Sequence, residues 1–170
     1  MDAIPDFARD LLVSVHPHYA SKIISGEKTV ELRRRFPERH MHGASALIYS
    51  TAPVQAIVGL ARIKHVLKLP VSRIWKEYGA ASCVSKADIE AYFSGLREGY
   101  AILLDGAQPL KRQLTIGDLS VRFGIVPPQS YRYVTADCIA LLSDEQVQAS
   151  NRHQRAHWAR RRPARSGIAR

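Results

Sequence analysis

Cysteine is scarce in this chain: of 170 residues only Cys83 and Cys138 are cysteines, far apart and with no C-x-x-C pair. That scarcity excludes a disulfide framework or a thiolate zinc site, and it predicts buried or idle thiols in the cytoplasm. Long hydrophobic runs are missing as well. No apolar stretch approaches the roughly 20 residues of a membrane-spanning helix. The first residues carry Asp2 and Asp6 in place of a basic stretch ahead of an apolar one, so the sequence predicts neither anchor nor signal peptide. Metal-ligand sets are also lacking. His16-Pro17-His18 and His40-Met41-His42 have no nearby Cys or carboxylate to complete four ligands, and no metal or cofactor is expected.

Acidic residues are few, 15 Asp and Glu against 25 Lys and Arg, for a net charge of +10. The excess is concentrated at one end. Residues 151 to 170 hold Arg152, Arg155, Arg160, Arg161, Arg162, Arg165 and Arg170 without an acid, a charge of +7, which leaves +3 for residues 1 to 150. The body of the chain is therefore only mildly basic. A hydrophobic content of 46% over 170 residues supports one core and not two. The sequence predicts a domain over 1–142 and a basic, disordered tail over 143–170, where apolar periodicity fails.

Leu11 to Val15 is a short apolar run that predicts a first strand, and Pro17 then opens a helix to Ser25, with Gly26 as its stop. In a strand from Thr29 to Arg35, Val30 and Leu32 share one face while Glu31 and Arg33 share the other. Further strands are expected at Ala46 to Ser50 and at Ala56 to Leu67, the second bending at Gly59. Helices follow at Val71 to Tyr78 and at Lys86 to Phe93, the latter capped by Ser85. Tyr100 to Leu104 and Leu110 to Leu114 read as strands about an Asp105-Gly106 turn. Gly117 to Phe123 reads as a short helix, and Tyr131 to Val134 with Cys138 to Leu142 close the sheet.

The densest chemistry lies between Ser25 and Arg35. Gly26 can take a positive φ after the helix, Lys28 stands at the strand entrance, and Glu31 and Arg33 project together. Such a group suits a base edge or an anion, with Arg33 on phosphate and Glu31 accepting from an amino group. A structural ion pair is the competing interpretation. Thr29 should turn with Glu31 and Arg33 toward the cleft as a candidate hydroxyl nucleophile. Glu31 could instead be a general base with Lys28 on the oxyanion. Gln129, Ser130, Tyr131 and Arg132 alternate in facing, so either the tyrosines or Ser130 with Arg132 could line the cleft and stack on or bind unpaired bases. Ser50 is a further candidate contact at a strand end.

Gly26-x-Lys28-x-x-Glu31-x-Arg33 after Pro17-x-Tyr19-Ala20-x-x-Ile23 resembles the signature of the ASCH family of PUA-like proteins. The likeness is joined by Val58-Gly59-x-Ala61, Ile74-Trp75-x-x-Tyr78, Tyr92-Phe93 and the Pro127 to Tyr133 segment, and it spans Leu11 to Leu142. The resemblance implies an α+β fold, a PUA-like closed or rolled mixed β-barrel flanked by short helices, with a basic cleft that binds RNA or a nucleoside or nucleotide ligand. Some members are amidohydrolases acting on N4-acetylcytidine. There Lys28 matches the catalytic lysine, but Glu31 stands where a threonine belongs, and Ser82 falls near the place of a distant glutamate, which Glu77 or Glu90 could replace from nearby helices. Ribonuclease activity, with His16, His18 or His65 as acid and base, is another implied possibility, and a regulatory domain for a metabolite is a third class. Arg155, Arg160, Arg161 and Arg162 of the tail would either add salt-sensitive phosphate contacts or serve as a solubilising end.

Overall fold

The computed structural model describes residues 10–136, 138–140 and 142. The expected tail, with Arg155, Arg160, Arg161 and Arg162, lies outside the described residues.

A six-stranded mixed sheet is ordered β2-β5-β4-β3-β1-β6, from β1 (Leu11–Val15), β2 (Val30–Arg33), β3 (Ser45–Ser50), β4 (Ala56–Pro70), β5 (Glu98–Thr115) and β6 (Tyr131–Tyr133). Among the described residues only β1 and β3 run parallel, joined in register from Leu11↔Ala46 to Val15↔Ser50. That pair requires a crossover, and α1 (Pro17–Ile24) and β2 supply it. The sheet rolls into a half-barrel flanked by helices, the rolled α+β arrangement expected. It is flanked by α1, α2 (Val71–Ser82), α3 (Lys86–Tyr92) and α4 (Ile116–Phe123).

Both faces of β1 are apolar because both are covered. Leu11, Val13 and Val15 enter a core inside the roll with Ile23, Phe36, Ile48 and Ile63. Leu12 points the other way, into a cluster with Leu47, Ile57, Leu114 and Leu119. A third cluster holds α2 and α3 onto the sheet through Ile74, Ile89, Phe93, Val30 and Leu32. Burying Ile74 and Ile89 completely contributes about 2 kcal/mol each, and it fixes the wall on which α3 stands.

Several parts of the chain depart from the sequence-based expectation. The Asp105-Gly106 turn is not a hairpin: β5 runs unbroken from Glu98 to Thr115 along β4. Between the pairs Arg62↔Asp105 and Leu60↔Gln108, β5 carries one more residue than β4, and Gly106, at φ 58°, takes up the extra length as a bulge. Cys138 to Leu142 does not close the sheet. Cys138–Ala140 and Leu142 are helical, the N–H groups of Cys138 and Ile139 donate to the Thr135 carbonyl, and Cys138 and Leu142 pack one turn apart on Leu12 and its neighbours. The helix expected to end at Tyr78 continues through Gly79 to Ser82 and stops at Cys83, which is left-handed at φ 55°. The second strand is also shorter than the expected Thr29 to Arg35, spanning Val30–Arg33, whereas Ser85 caps α3 as expected by accepting from the Asp88 N–H, and bulges flank the Gly59 bend.

Candidate functional site

Lys28 is placed by the turn that ends α1. Gly26, at φ 81°, reverses the chain, and the Lys28 N–H donates to the Lys22 carbonyl at 2.9 Å. The Lys28 side chain then runs inward and is almost wholly buried. Its ammonium donates to the Ser82 carbonyl at 2.6 Å, lies 3.2 Å from Glu31 Oε2, and faces the Tyr19 ring at 5.0 Å from its centroid. Ser82 is the last residue of α2, so the ammonium meets the negative end of a helix as well as a carboxylate and an aromatic face. Burial nonetheless outweighs these partners and holds the Lys28 pKa below the ordinary lysine value, with Glu31 opposing the shift.

Strand alternation does the rest. Val30 and Leu32 face the α2–α3 core, while Glu31 and Arg33 turn the other way. Glu31 is held between two cations, since its Oε1 lies 3.0 Å from Arg33 NH2. The same guanidinium nitrogen donates to the Ser14 carbonyl of β1 at 2.6 Å, and NH1 reaches Ser130 Oγ at 3.5 Å. Arg33 therefore ties edge strand β2 to β1 and to the β6 approach, where no backbone ladder joins them. Its Nε is buried without a partner. Arg34, exposed, donates to the carbonyls of Tyr92 and Ser94, which pins the end of α3.

These residues wall a cavity of about 350 Å³. Ser14, Val15, His16 and Tyr19 line one side, Lys28, Glu31, Leu32 and Arg33 the floor, and Val84, Asp88, Ile89 and Tyr92 the other side. The expected basic character is absent: the two cations are matched by Glu31 and Asp88, and Arg33 is engaged by Glu31 and Ser14. His16 Nδ1 accepts from the His18 N–H at 3.4 Å, at the start of α1.

Several expected residues stand apart from this cavity. Thr29 is exposed and does not line it. The ladder of β2 begins only at Val30, and Thr29 is held by its backbone to Ala81 and Leu104, so strand alternation does not extend back to it. Ser50 is buried at the end of β3 beside Val15. Gly26 shapes the turn without lining the cavity. Of the Gln129 to Arg132 segment, Ser130 supports Ser14 and Arg33, Tyr131 packs on Phe36 with ring centroids 5.1 Å apart, and Arg132 donates to the Val126 carbonyl. Tyr131 and Tyr133 share a face, as alternation predicts, with centroids 6.5 Å apart. Of the histidines weighed as acid or base, only His16 lines the cavity; His65 stacks on His42, centroids 5.5 Å apart.

The amidohydrolase arrangement is not assembled. Glu77 pairs with Arg73 at 2.7 Å and Glu90 lies 3.8 Å from Lys86, both away from the cavity. Ser82 contributes its carbonyl and not an acid. The sequence reading missed Asp88, Tyr92 and Ile89 as cavity residues. The capping pattern Ser85-x-x-Asp88 placed α3 but not the face it turns inward. Among the described residues, no three His, Cys, Asp or Glu side chains gather as a metal site, and no helix is long and apolar enough to cross a membrane.

Comparison with known proteins gives the group to which this arrangement belongs. The family model for the ASCH domain matches residues 13–112. A curated relative from Zymomonas mobilis subsp. mobilis, named as an ASCH domain-containing ribonuclease, is 34% identical over 135 residues, 79% of this chain and 89% of that protein. The crystal structure of ASCH from Zymomonas mobilis superposes with a TM-score of 0.73 at 30% identity, covering 83% of this chain and 95% of that one. The N-terminal domain of Staphylothermus marinus McrB shares the fold at 9% identity, with a TM-score of 0.53 over 85% of this chain and 98% of that one. The cavity and its Lys28–Glu31–Arg33 floor thus sit in a chain that belongs to the ASCH domain family.

Proposed function

We propose that this chain binds single-stranded RNA by taking one unpaired base or modified nucleoside into the cavity floored by Lys28, Glu31 and Arg33. The observation that carries the reading is the clamped carboxylate of Glu31. Held by two cations, it is an ordered acceptor facing a cavity of nucleoside size, where a base amino or imino group can donate. Asp88 offers a second acceptor and His16 an imidazole, while Tyr19, Tyr92, Leu32 and Ile89 supply apolar and aromatic walls. Because the four charges cancel, the cavity favours a base over a phosphate. Backbone charge would instead meet basic residues outside it.

Titration with labelled single-stranded RNA and with free nucleosides tests this reading. Glu31→Gln is expected to weaken both by about tenfold, the loss of one charge-assisted hydrogen bond. Unchanged affinity in that variant, with its fold intact by circular dichroism, contradicts it.

RNA cleavage is a second reading, supported by the name of the 34% identical Zymomonas relative and by the presence of His16 in the cavity beside Glu31 and Asp88. It predicts shortened RNA products that disappear in His16→Ala while retention of uncleaved RNA persists. The ribonuclease assay and the binding titration can share one incubation, followed by mass spectrometry.

A further inference from the structure

A second hollow lies beside the cavity along α2, bounded by Trp75, Lys76, Gly79, Ala80, Val84 and Ser85. We infer that it is a second nucleotide subsite, where the base flanking the one in the cavity stacks on Trp75; this rests on the RNA-binding reading of the cavity.

Continuity is the first argument. Val84 lines both hollows, and Ser85 of the second caps the helix whose Asp88, Ile89 and Tyr92 line the first. A strand with one base in the cavity therefore has its neighbour delivered across a single-residue divide. Pre-organisation is the second. Trp75 is 37% exposed, yet its ring is not free: it lies against Gly79, where an added Cβ would stand 2.5 Å from Cε3 and 2.6 Å from Cζ3. The missing side chain at Gly79 lets the indole lie along the helix as a fixed platform, so stacking costs little side-chain entropy. Charge is the third. The hollow is lined by Lys76 and by no acid, which suits the phosphate between the two bases. An aromatic platform of this kind takes any base, so the subsite would add affinity without reading sequence.

The test uses the full chain with Trp158→Phe, so that tryptophan emission comes from Trp75, one of the two tryptophans. Cytidine monophosphate and single-stranded RNA tetranucleotides are titrated in turn. Tetranucleotides are expected to quench the emission and the monophosphate to leave it unchanged. Affinities are read by isothermal titration calorimetry, which needs no tryptophan: Trp75→Ala should weaken tetranucleotide binding by about tenfold, with monophosphate binding unaltered, and Gly79→Ala should do the same by displacing the ring while retaining it. Tetranucleotide affinity that neither substitution lowers overturns the subsite. Absence of any monophosphate or nucleoside binding, or its indifference to Glu31→Gln, instead overturns the cavity reading, and it is distinguished by quenching that still follows tetranucleotide addition.

Discussion

At the scale of single residues, the site depends on a lysine that is removed from water and then compensated. Lys28 has a carboxylate, a helix-terminal carbonyl and an aromatic ring around its ammonium, yet burial lowers its pKa from 10.5. Between the lowered value and 10.5 the unfolded chain holds a proton that the folded chain has released. Unfolding then takes up a proton, so this residue makes stability rise with pH through that window. The stability difference between wild type and Lys28→Met is expected to move in favour of wild type as pH climbs toward 10.5. Urea unfolding at a series of pH values measures it, and a pH-independent difference contradicts the desolvated environment of Lys28. The alternation that turns Glu31 and Arg33 away from Val30 and Leu32 was legible because a strand has a period of two. That Arg33 is spent on Glu31 and Ser14, and so is not offered to phosphate, was not legible. Ser14 is 19 positions away in the chain, and only the roll of the sheet brings its carbonyl to the guanidinium.

At the scale of elements, the two long strands carry the curvature. β4 and β5 stay paired through three register shifts, and the approach at Gly59 is among the closest in the roll: a Cβ there would lie 2.5 Å from the Gln108 carbonyl oxygen and also strike Ile24 of α1. Gly59→Ala is therefore expected to cost about 1–3 kcal/mol, read as a lower urea midpoint with an unchanged slope; a midpoint equal to wild type would mean that α1 yields freely. The bend at Gly59 was readable from a glycine inside a long apolar strand. The course of β5 was not, because Asp-Gly is a hairpin signal and a bulge asks for the same positive φ. The Cys138 to Leu142 segment misled in another way. Its apolar residues suit either a strand or a helical face, and packing beside Leu12 settles the matter in favour of the helix. The far wall of the cavity could not be read at all, since which face of α3 turns inward is decided by Ile89 and Phe93 seeking the sheet.

At the scale of the whole molecule, charge and site are separated along the chain. The cavity is balanced, while residues 151 to 170 carry +7 and lie outside the described residues. If that arginine-rich segment meets phosphates, its deletion lowers the salt dependence of RNA binding by about 0.7 in log–log slope for each phosphate no longer neutralised, and nucleoside binding at the cavity stays the same. Binding isotherms between low and physiological salt measure both, and an unaltered slope assigns the segment no part in RNA binding. The topology has a consequence for synthesis. Strand β1 is flanked by β3 on one side and by β6 on the other, with Leu11 opposite Tyr133. A ribosome making this chain releases β1 before, and β6 after, the other described strands of the sheet. Until then the emerging domain carries a bare hydrogen-bonding edge beside its nascent core, and in that interval pairing with a neighbouring polypeptide competes with completion of the native roll.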